Sequence, residues 1–194
     1  SDSAISSCLM LFYNYLKRNN ELFLEQIKQI YFYKPEDFLM LDAATQRNLE
    51  LVKNLQDNSS NNTLFAVLDK AMSPMGSRLI KKWILRPLIK KDMIEQRLEA
   101  VNLLFEDIIT RKKIQNFIKQ IGDIERVVGR IALSRTHIYD YLCLIKTFEL
   151  IPELKDILKI FSEENLLGII ATKISDFSEL QVILKTAINE DTSQ

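Results

Sequence analysis

Glycine and proline are scarce in this sequence, with four of each among 194 residues. β-Sandwich folds depend on many tight turns, which these two residue types usually supply. The glycines are also scattered, so no Gly-x-x-x-x-Gly-Lys-Ser/Thr loop is present to hold the phosphates of a nucleotide. These absences exclude a P-loop nucleotide site within the chain and favour a fold built from helices.

Cysteine and histidine are rarer still. The two cysteines, Cys8 and Cys143, lie in separate apolar runs without Cys-x-x-Cys spacing, so no zinc site is indicated. We expect both to be buried, reduced thiols, which suits a cytoplasmic protein. The single histidine, His137, has no nucleophile motif beside it and is expected on the surface or at a helix cap. We therefore predict no catalytic residue, no metal ligand and no cofactor-binding residue in this chain.

The chain has no excess of charge, because 26 basic residues balance 26 acidic ones. A protein that binds nucleic acid by itself usually carries a basic excess, so any contact with DNA must come from a local patch. One basic cluster begins at Arg78 and has no acid within it; its other members are Lys81, Lys82, Arg86, Lys90 and Lys91. These five are candidate contacts to DNA phosphates, and the alternative is a solvated helix face. No uninterrupted apolar run reaches ~18 residues, so no membrane span is expected.

Local signals predict where several helices begin. Ser73-Pro74 combines a good N-cap with proline at the first helical position, and Pro87 ends that helix. Asp42 is a good N-cap for a helix that runs to about Leu51. Further starts are expected at the Asp92 to Glu95 capping box and at two serine caps, Ser162 and Ser175. A helix break is expected at Gly122-Asp123.

The helix after Asp92 carries an apolar stripe with the alternating spacing of four and three that is typical of coiled coils. Its members are Ile94, Leu98, Val101, Phe105 and Ile108. Residues 56–62 are the most polar run and predict an exposed loop. The fold class predicted from these patterns is mainly α, an elongated multi-helix lever or bundle, with a short extended or β segment near residues 27–41.

Three blocks of sequence then occur in a recognisable order. The first is residues 41–51, LDAATQRNLEL; the second comprises residues 68–69, 73–79, 82–88 and 97–101; the third comprises residues 122–126 and 130–132. Together they resemble the lever, or core, domain of bacterial-type MutS DNA mismatch-repair proteins. Two departures are visible: Ser73 stands where the family commonly has threonine, and Ile138-Tyr139 replaces a Pro-Arg pair ahead of Asp140.

The resemblance implies a domain organisation and a function. Residues 1–20 would be the last helix of the preceding connector domain, residues 21–36 a linker, and residues 37–194 the first limb of the lever, ending before the DNA clamp. The function implied is coupling of mismatched-DNA clamping to a distant ATPase outside this chain. The full-length protein would use ATP and Mg²⁺, bind mismatched double-stranded DNA, pair with a second MutS subunit, meet a MutL-type partner, and act in the cytoplasm away from membranes.

The residues singled out by the three blocks have structural roles in this interpretation. We expect Asp42 to cap a helix, Arg47 and Asn48 to satisfy backbone carbonyls at a helix junction, and Gly76 to permit close helix approach beside Trp83. Asp123, Glu125 and Arg126 are expected to pair across helices. The set of structural or allosteric candidates is Asp42, Arg47, Asn48, Pro74, Gly76, Arg78, Trp83, Asp123, Glu125 and Arg126.

Two other hypotheses remain at this stage. Composition alone fits a helical protein–protein interaction scaffold unrelated to DNA repair equally well, and only the three blocks favour the first interpretation. A small enzyme is the third hypothesis, although the chain has no nucleophile, metal or phosphate motif to support it.

Overall fold

The computed structural model describes residues 2–19, 24, 27, 30 and 37–188. The chain divides into two compact units, Ser1–Pro35 and Glu36–Gln194. In the first unit the described helix is α1 (Asp2–Asn19), whose last turn carries Lys17 and Arg18, where positive charge is favourable. Cys8 lies exposed on this helix, so the prediction that it is buried is wrong. The predicted linker at residues 21–36 lies almost wholly outside the described residues.

Over its described residues the second unit is built from helices joined by turns and loops. Its helices are α2 (Ala43–Asn48), α3 (Leu64–Leu68), α4 (Pro74–Leu85), α5 (Lys91–Glu106), α6 (Ile108–Gln120), α7 (Ile124–Ala132), α8 (Ile138–Leu158), α9 (Leu166–Lys173) and α10 (Ser178–Ala187). The prediction of a mainly α fold is confirmed. From the extended segment predicted near residues 27–41, the described part includes Phe38, which forms an isolated antiparallel bridge with Leu88.

The long helix α8 is the centre of the second unit, because α6, α7, α9 and α10 all pack against it. Two apolar clusters form around it. The first cluster buries Ala100, Leu158, Leu167 and Ala171, and the second buries Val127, Leu144 and Phe148. Both clusters and their apolar neighbours come from residue 100 onward, so residues 37–90 contribute to neither.

Helix α5 faces the first cluster with a different side from the one that its sequence pattern emphasises. Ala100 is the residue it buries, and Leu103 and Leu104 pack beside it. The coiled-coil-like stripe is exposed instead, and Phe105 at its end keeps 71% of its surface accessible. Apolar residues lie on more than one side of this helix, because Ala100, Leu103 and Leu104 form a set apart from the stripe, so periodicity alone could not identify the buried side.

Helix starts were predicted well where one cap dominates. Ser73 Oγ accepts from the N–H of Gly76 at 3.2 Å, and α7 begins after the break at Gly122-Asp123. The predicted capping box at Asp92 is wrong, because α5 begins at Lys91 after Lys90, whose side chain makes no cap bond. The predicted serine caps, Ser162 and Ser175, are also wrong, because the N-caps of α9 and α10 are Asn165 and Phe177.

The polar run 56–62 is a largely exposed loop, as predicted, and it is organised around the buried Asn54. The Asn54 side chain donates to Ser59 Oγ and Asn61 O at 3.1 Å each, and its Oδ1 accepts from the N–H of Asp57 at 3.0 Å. These bonds satisfy backbone groups that neither helix nor sheet satisfies here.

Candidate functional site

Arg78 on α4 forms a fork that binds two carboxylates at the start of α7. Its Nη1 and Nη2 atoms donate to Asp123 Oδ2 and Oδ1 at 2.8 and 2.6 Å. Its Nε and Nη2 atoms donate to Glu125 Oε2 at 2.9 and 2.6 Å. A planar guanidinium suits such bidentate contacts better than an ammonium group does. The fork joins residues 73–79 to residues 122–126, two of the sequence blocks singled out above.

The charges at this junction stabilise one another. The hydrogen bonds from Arg78 hold the pKa of the Asp123 carboxyl below its ordinary value, and those to Asp123 and Glu125 raise the pKa of Arg78. Asp123 also caps α7, because Oδ1 accepts from the N–H of Arg126 at 3.3 Å. Negative charge is favourable at a helix N-terminus, so Asp123 is held ionised by its helix as well as by Arg78.

Two of the three acidic and basic residues predicted to pair across helices do so. Asp123 and Glu125 both reach Arg78 on another helix. The prediction is wrong for Arg126, whose Nε lies 3.5 Å from Asp123 Oδ2 in its own helix. A residue three positions from a helix cap is close enough to contact that cap without any tertiary contact.

The start of α4 is tightly built around Pro74 and Gly76. A Cβ atom at Gly76 would lie 3.2 Å from Ala71 Cβ and 3.3 Å from Ser73 Oγ, so a side chain has little room there. The close neighbours belong to the chain just before α4. The prediction that Gly76 admits another helix beside Trp83 is therefore wrong, although a requirement for a small residue is real.

Trp83 stacks with Arg97, which links α4 to α5. The guanidinium carbon of Arg97 lies 3.8 Å from the centre of the Trp83 ring. Arginine commonly stacks on tryptophan because the face of the ring carries partial negative charge. Burial lowers the pKa of Arg97 from its ordinary value, because desolvation disfavours the charged form.

In the first block, Asp42 caps a helix as predicted, but Arg47 does not make its predicted contacts. Asp42 Oδ1 accepts from the N–H of Thr45 at 2.6 Å, which lowers the pKa of Asp42. Helix α2 ends at Asn48, three residues before the predicted end. Arg47 and Asn48 are exposed, and no backbone carbonyl of the described residues accepts a hydrogen bond from either side chain. Their predicted role at a helix junction is therefore not observed within the described chain.

The basic cluster divides into members with a carboxylate partner and members without one among the described residues. Lys90 lies 2.7 Å from Asp37 Oδ1, and Lys91 lies 3.4 Å from Glu95 Oε1, so both already have a carboxylate partner. Lys81, Lys82 and Arg86 are exposed, and no ion pair to them is formed by the described residues. These three are therefore the members of the cluster whose cationic groups are free to meet a phosphate without first leaving a carboxylate of the described residues.

An ion pair that the sequence reading missed connects α7 to α8. Arg130 binds both carboxylate oxygens of Asp140, with Nε at 2.9 Å from Oδ2. Asp140 is buried, and its Oδ2 also accepts from the backbone N–H of His137 at 3.1 Å. The bonds from Arg130 and His137 lower the pKa of Asp140 to about 2. His137 is the N-cap of α8, which confirms its predicted place at a helix cap.

Within the described range, no three or more side chains of the metal-binding types come together as a possible metal site. No described helix combines the length and the apolar character needed to cross a membrane. The features that stand out are side-chain caps at helix starts and ion pairs that join one helix to another. The fold and this junction define a helical domain in which ion pairs link one helix to another.

Comparison with known proteins gives the family. The family model for MutS domain III matches residues 44–194. The DNA mismatch repair protein MutS of Methanosarcina barkeri is 37% identical over 158 residues, which is 81% of this chain and 18% of that protein. The corresponding MutS of Caldicellulosiruptor saccharolyticus is 36% identical over 178 residues, 92% of this chain and 20% of its own length. The DNA mismatch repair protein MSH6 of Saccharomyces cerevisiae is 36% identical over 172 residues, 88% and 14% of the two chains.

The chain therefore belongs to the MutS family of DNA mismatch-repair proteins, and the matched region is MutS domain III. It spans about a fifth of the length of the bacterial and archaeal relatives described here.

Proposed function

We propose that this domain is the lever of a MutS-type protein, coupling the clamping of mismatched DNA to an ATPase outside this chain. The observation that supports this role most directly is the Arg78 fork, which joins α4 to α7 across 45 residues of sequence. Coupling between distant sites requires packed elements whose arrangement both sites can bias. A polar junction between two helices is an element of this kind, since it can break and reform without loss of an apolar core.

The partners and cofactors of the whole protein follow from the same proposal. Mismatched double-stranded DNA, a second MutS subunit and a MutL-type partner would meet the complete protein in the cytoplasm. ATP and Mg²⁺ would bind outside this chain, which lacks a glycine-rich phosphate loop. The fragment by itself would then hydrolyse no ATP. Because the chain belongs to the MutS family, no observation favours the alternative of a helical scaffold unrelated to DNA repair.

The proposal is tested by the variant Gly76→Leu in the full-length protein that carries this domain. A leucine would have to displace Ala71 or Ser73, so α4 would start in a changed position. We expect mismatch-stimulated ATP hydrolysis to fall about 2- to 30-fold, the range seen when residues in a coupling network are changed. Nucleotide affinity, measured without DNA, should stay unchanged.

Gly129→Leu is the matched control, because a Cβ atom at Gly129 would meet nothing within 4 Å. It should leave stimulation at the parent level. Arg78→Gln provides a second route, since it removes the fork without adding bulk. Full mismatch stimulation in both Gly76→Leu and Arg78→Gln, with folding verified by circular dichroism, would argue against a lever role for this junction.

We also propose that Lys81, Lys82 and Arg86 contact DNA phosphates in the assembled protein. The support is their exposure without a carboxylate partner among the described residues. Each phosphate contact contributes about 0.9 to the slope of log affinity against log salt. Changing all three to glutamine should therefore make the slope for duplex binding shallower by about 2–3. A control variant carries the same substitution at three other exposed lysines, Lys112, Lys119 and Lys173, and so loses the same charge. Equal slopes in the two variants would contradict the assignment.

A further inference from the structure

Polar and aromatic contacts attach α4 to the later helices, through Arg78 and Trp83. It contains no buried residue, and it contributes to neither apolar cluster of the second unit. Burial of apolar surface is the main source of stability in a folded domain. An element that buries so little is expected to open with a lower free energy than the cluster-forming helices need.

Apart from the first backbone bond of α5, in which Lys90 O accepts from the N–H of Ile94, few polar contacts cross from residues 37–90 to later residues within the described chain. One is the fork of Arg78 with Asp123 and Glu125, which we name the latch. The other is the stack of Trp83 with Arg97. The backbone bonds that follow α4 pair residues 87–89 with residues 37–39, and so they tie residues 37–90 to themselves.

When the latch opens, its most buried carboxylate, that of Asp123, still has a hydrogen-bond donor and a cation beside it. Asp123 keeps the N–H of Arg126 at 3.3 Å and the Arg126 guanidinium at 3.5 Å, both from its own helix. Breaking a buried ion pair is costly chiefly when it leaves an uncompensated charge. Arg78 and Glu125 are themselves partly exposed, with 33% and 67% of their side-chain surfaces accessible, so water can solvate both after separation.

We propose that α4 detaches from α7 as a unit while α8 and the two apolar clusters stay folded. When the latch forms, it holds α4 against α7. This proposal deepens the proposed coupling function, because the latch is the same Arg78 fork that would carry the coupling. Its test involves neither DNA nor ATP, so a failure of the opening can be distinguished from a failure of the coupling. The latch is also sensitive to ionic strength, since its charges are partly exposed and salt screens them.

The test is hydrogen exchange of this chain, resolved by segment with mass spectrometry. Amides of α4 should exchange faster than those of α8, through an opening that does not expose α8. Raising the salt concentration from about 0.05 M to about 0.5 M shortens the screening length and should speed exchange in α4 selectively.

Variants then assign the opening to the latch. Arg78→Gln should raise the α4 exchange rate about tenfold, as expected for loss of a partly exposed, charge-assisted contact, and should remove the salt dependence. Glu125→Gln should give a smaller increase because Asp123 still holds Arg78. Arg126→Gln is the contrasting variant: it removes a cation from the same carboxylate, but one that compensates Asp123 in the open state, so α4 exchange should slow and not rise.

Three outcomes would overturn the proposal. One is α4 protection equal to that of α8 in the parent chain. The second is an Arg78→Gln variant whose α4 exchange does not change. The third is an increase spread equally over α4, α8 and α9, since this would show a general loss of stability. If Arg78→Gln fails to fold, the comparison of α4 with α8 in the parent chain and the Glu125→Gln variant still decide the question.

Discussion

Replacing Phe148 with alanine is expected to lower the free energy of unfolding by about 3–5 kcal/mol, the usual cost of removing a buried phenyl ring. Phe148 is 9% exposed and lies in the second apolar cluster. Its ring stacks on that of Phe177, with centroids 4.8 Å apart and an interplanar angle of 7°. The substitution would therefore open a cavity between α8 and the start of α10. Urea denaturation followed by circular dichroism measures the loss.

Phe105→Ala is the control, because it makes the same chemical change on α5 at a side chain that is 71% exposed. Its effect on the free energy of unfolding should stay within about 0.5 kcal/mol. Equal losses in the two variants would mean that burial of the Phe148 ring does not determine the loss of stability.

Gly168→Ala is expected to destabilise the chain by about 1–3 kcal/mol or more, because it overpacks a buried position. A Cβ atom at Gly168 would lie 2.1 Å from Ser162 O and 2.6 Å from Ser162 C. Both are backbone atoms, so relief requires α9 to move away from the turn before it. That movement would also disturb the cap in which Asn165 Oδ1 accepts from the N–H of Leu167 at 2.7 Å.

Gly129→Ala makes the same change in open space, and its effect on stability should have the opposite sign. A Cβ atom there meets nothing within 4 Å, and alanine is favoured over glycine within a helix by about 1 kcal/mol. The midpoint of thermal unfolding should therefore rise for Gly129→Ala and fall for Gly168→Ala. A fall of similar size in both would mean that general helix effects, and not the contact with Ser162, determine the result.

Local chemistry explains which helix starts could be predicted. Ser73 and Pro74 act on adjacent backbone groups, so their effect needs no distant contact, and α4 begins where they indicate. Where several residues compete as caps, the prediction fails. Ser175 was expected to cap the last helix, yet α10 begins after Phe177. Asp176 Oδ1, and not Ser175, accepts from the N–H of Ser178 at 2.9 Å.

The junction was predicted in part. The family blocks identified Asp123 and Glu125 as residues that pair across helices, but they did not identify Arg78 as the partner. Residues 45 positions apart have no periodic relation that a single sequence displays. The Arg130–Asp140 pair was missed for a similar reason, because its two members lie on different helices and only the turn between them brings the side chains together.

The sequence by itself determined the all-α class, the absence of a phosphate loop, the strongest helix caps and the family, because these depend on composition or on neighbouring residues. Tertiary structure decided which side of α5 is buried, which lysines are paired and which helices Arg78 connects. Burial and ion pairing depend on what lies opposite a side chain, and that surface is assembled from residues far away in the chain.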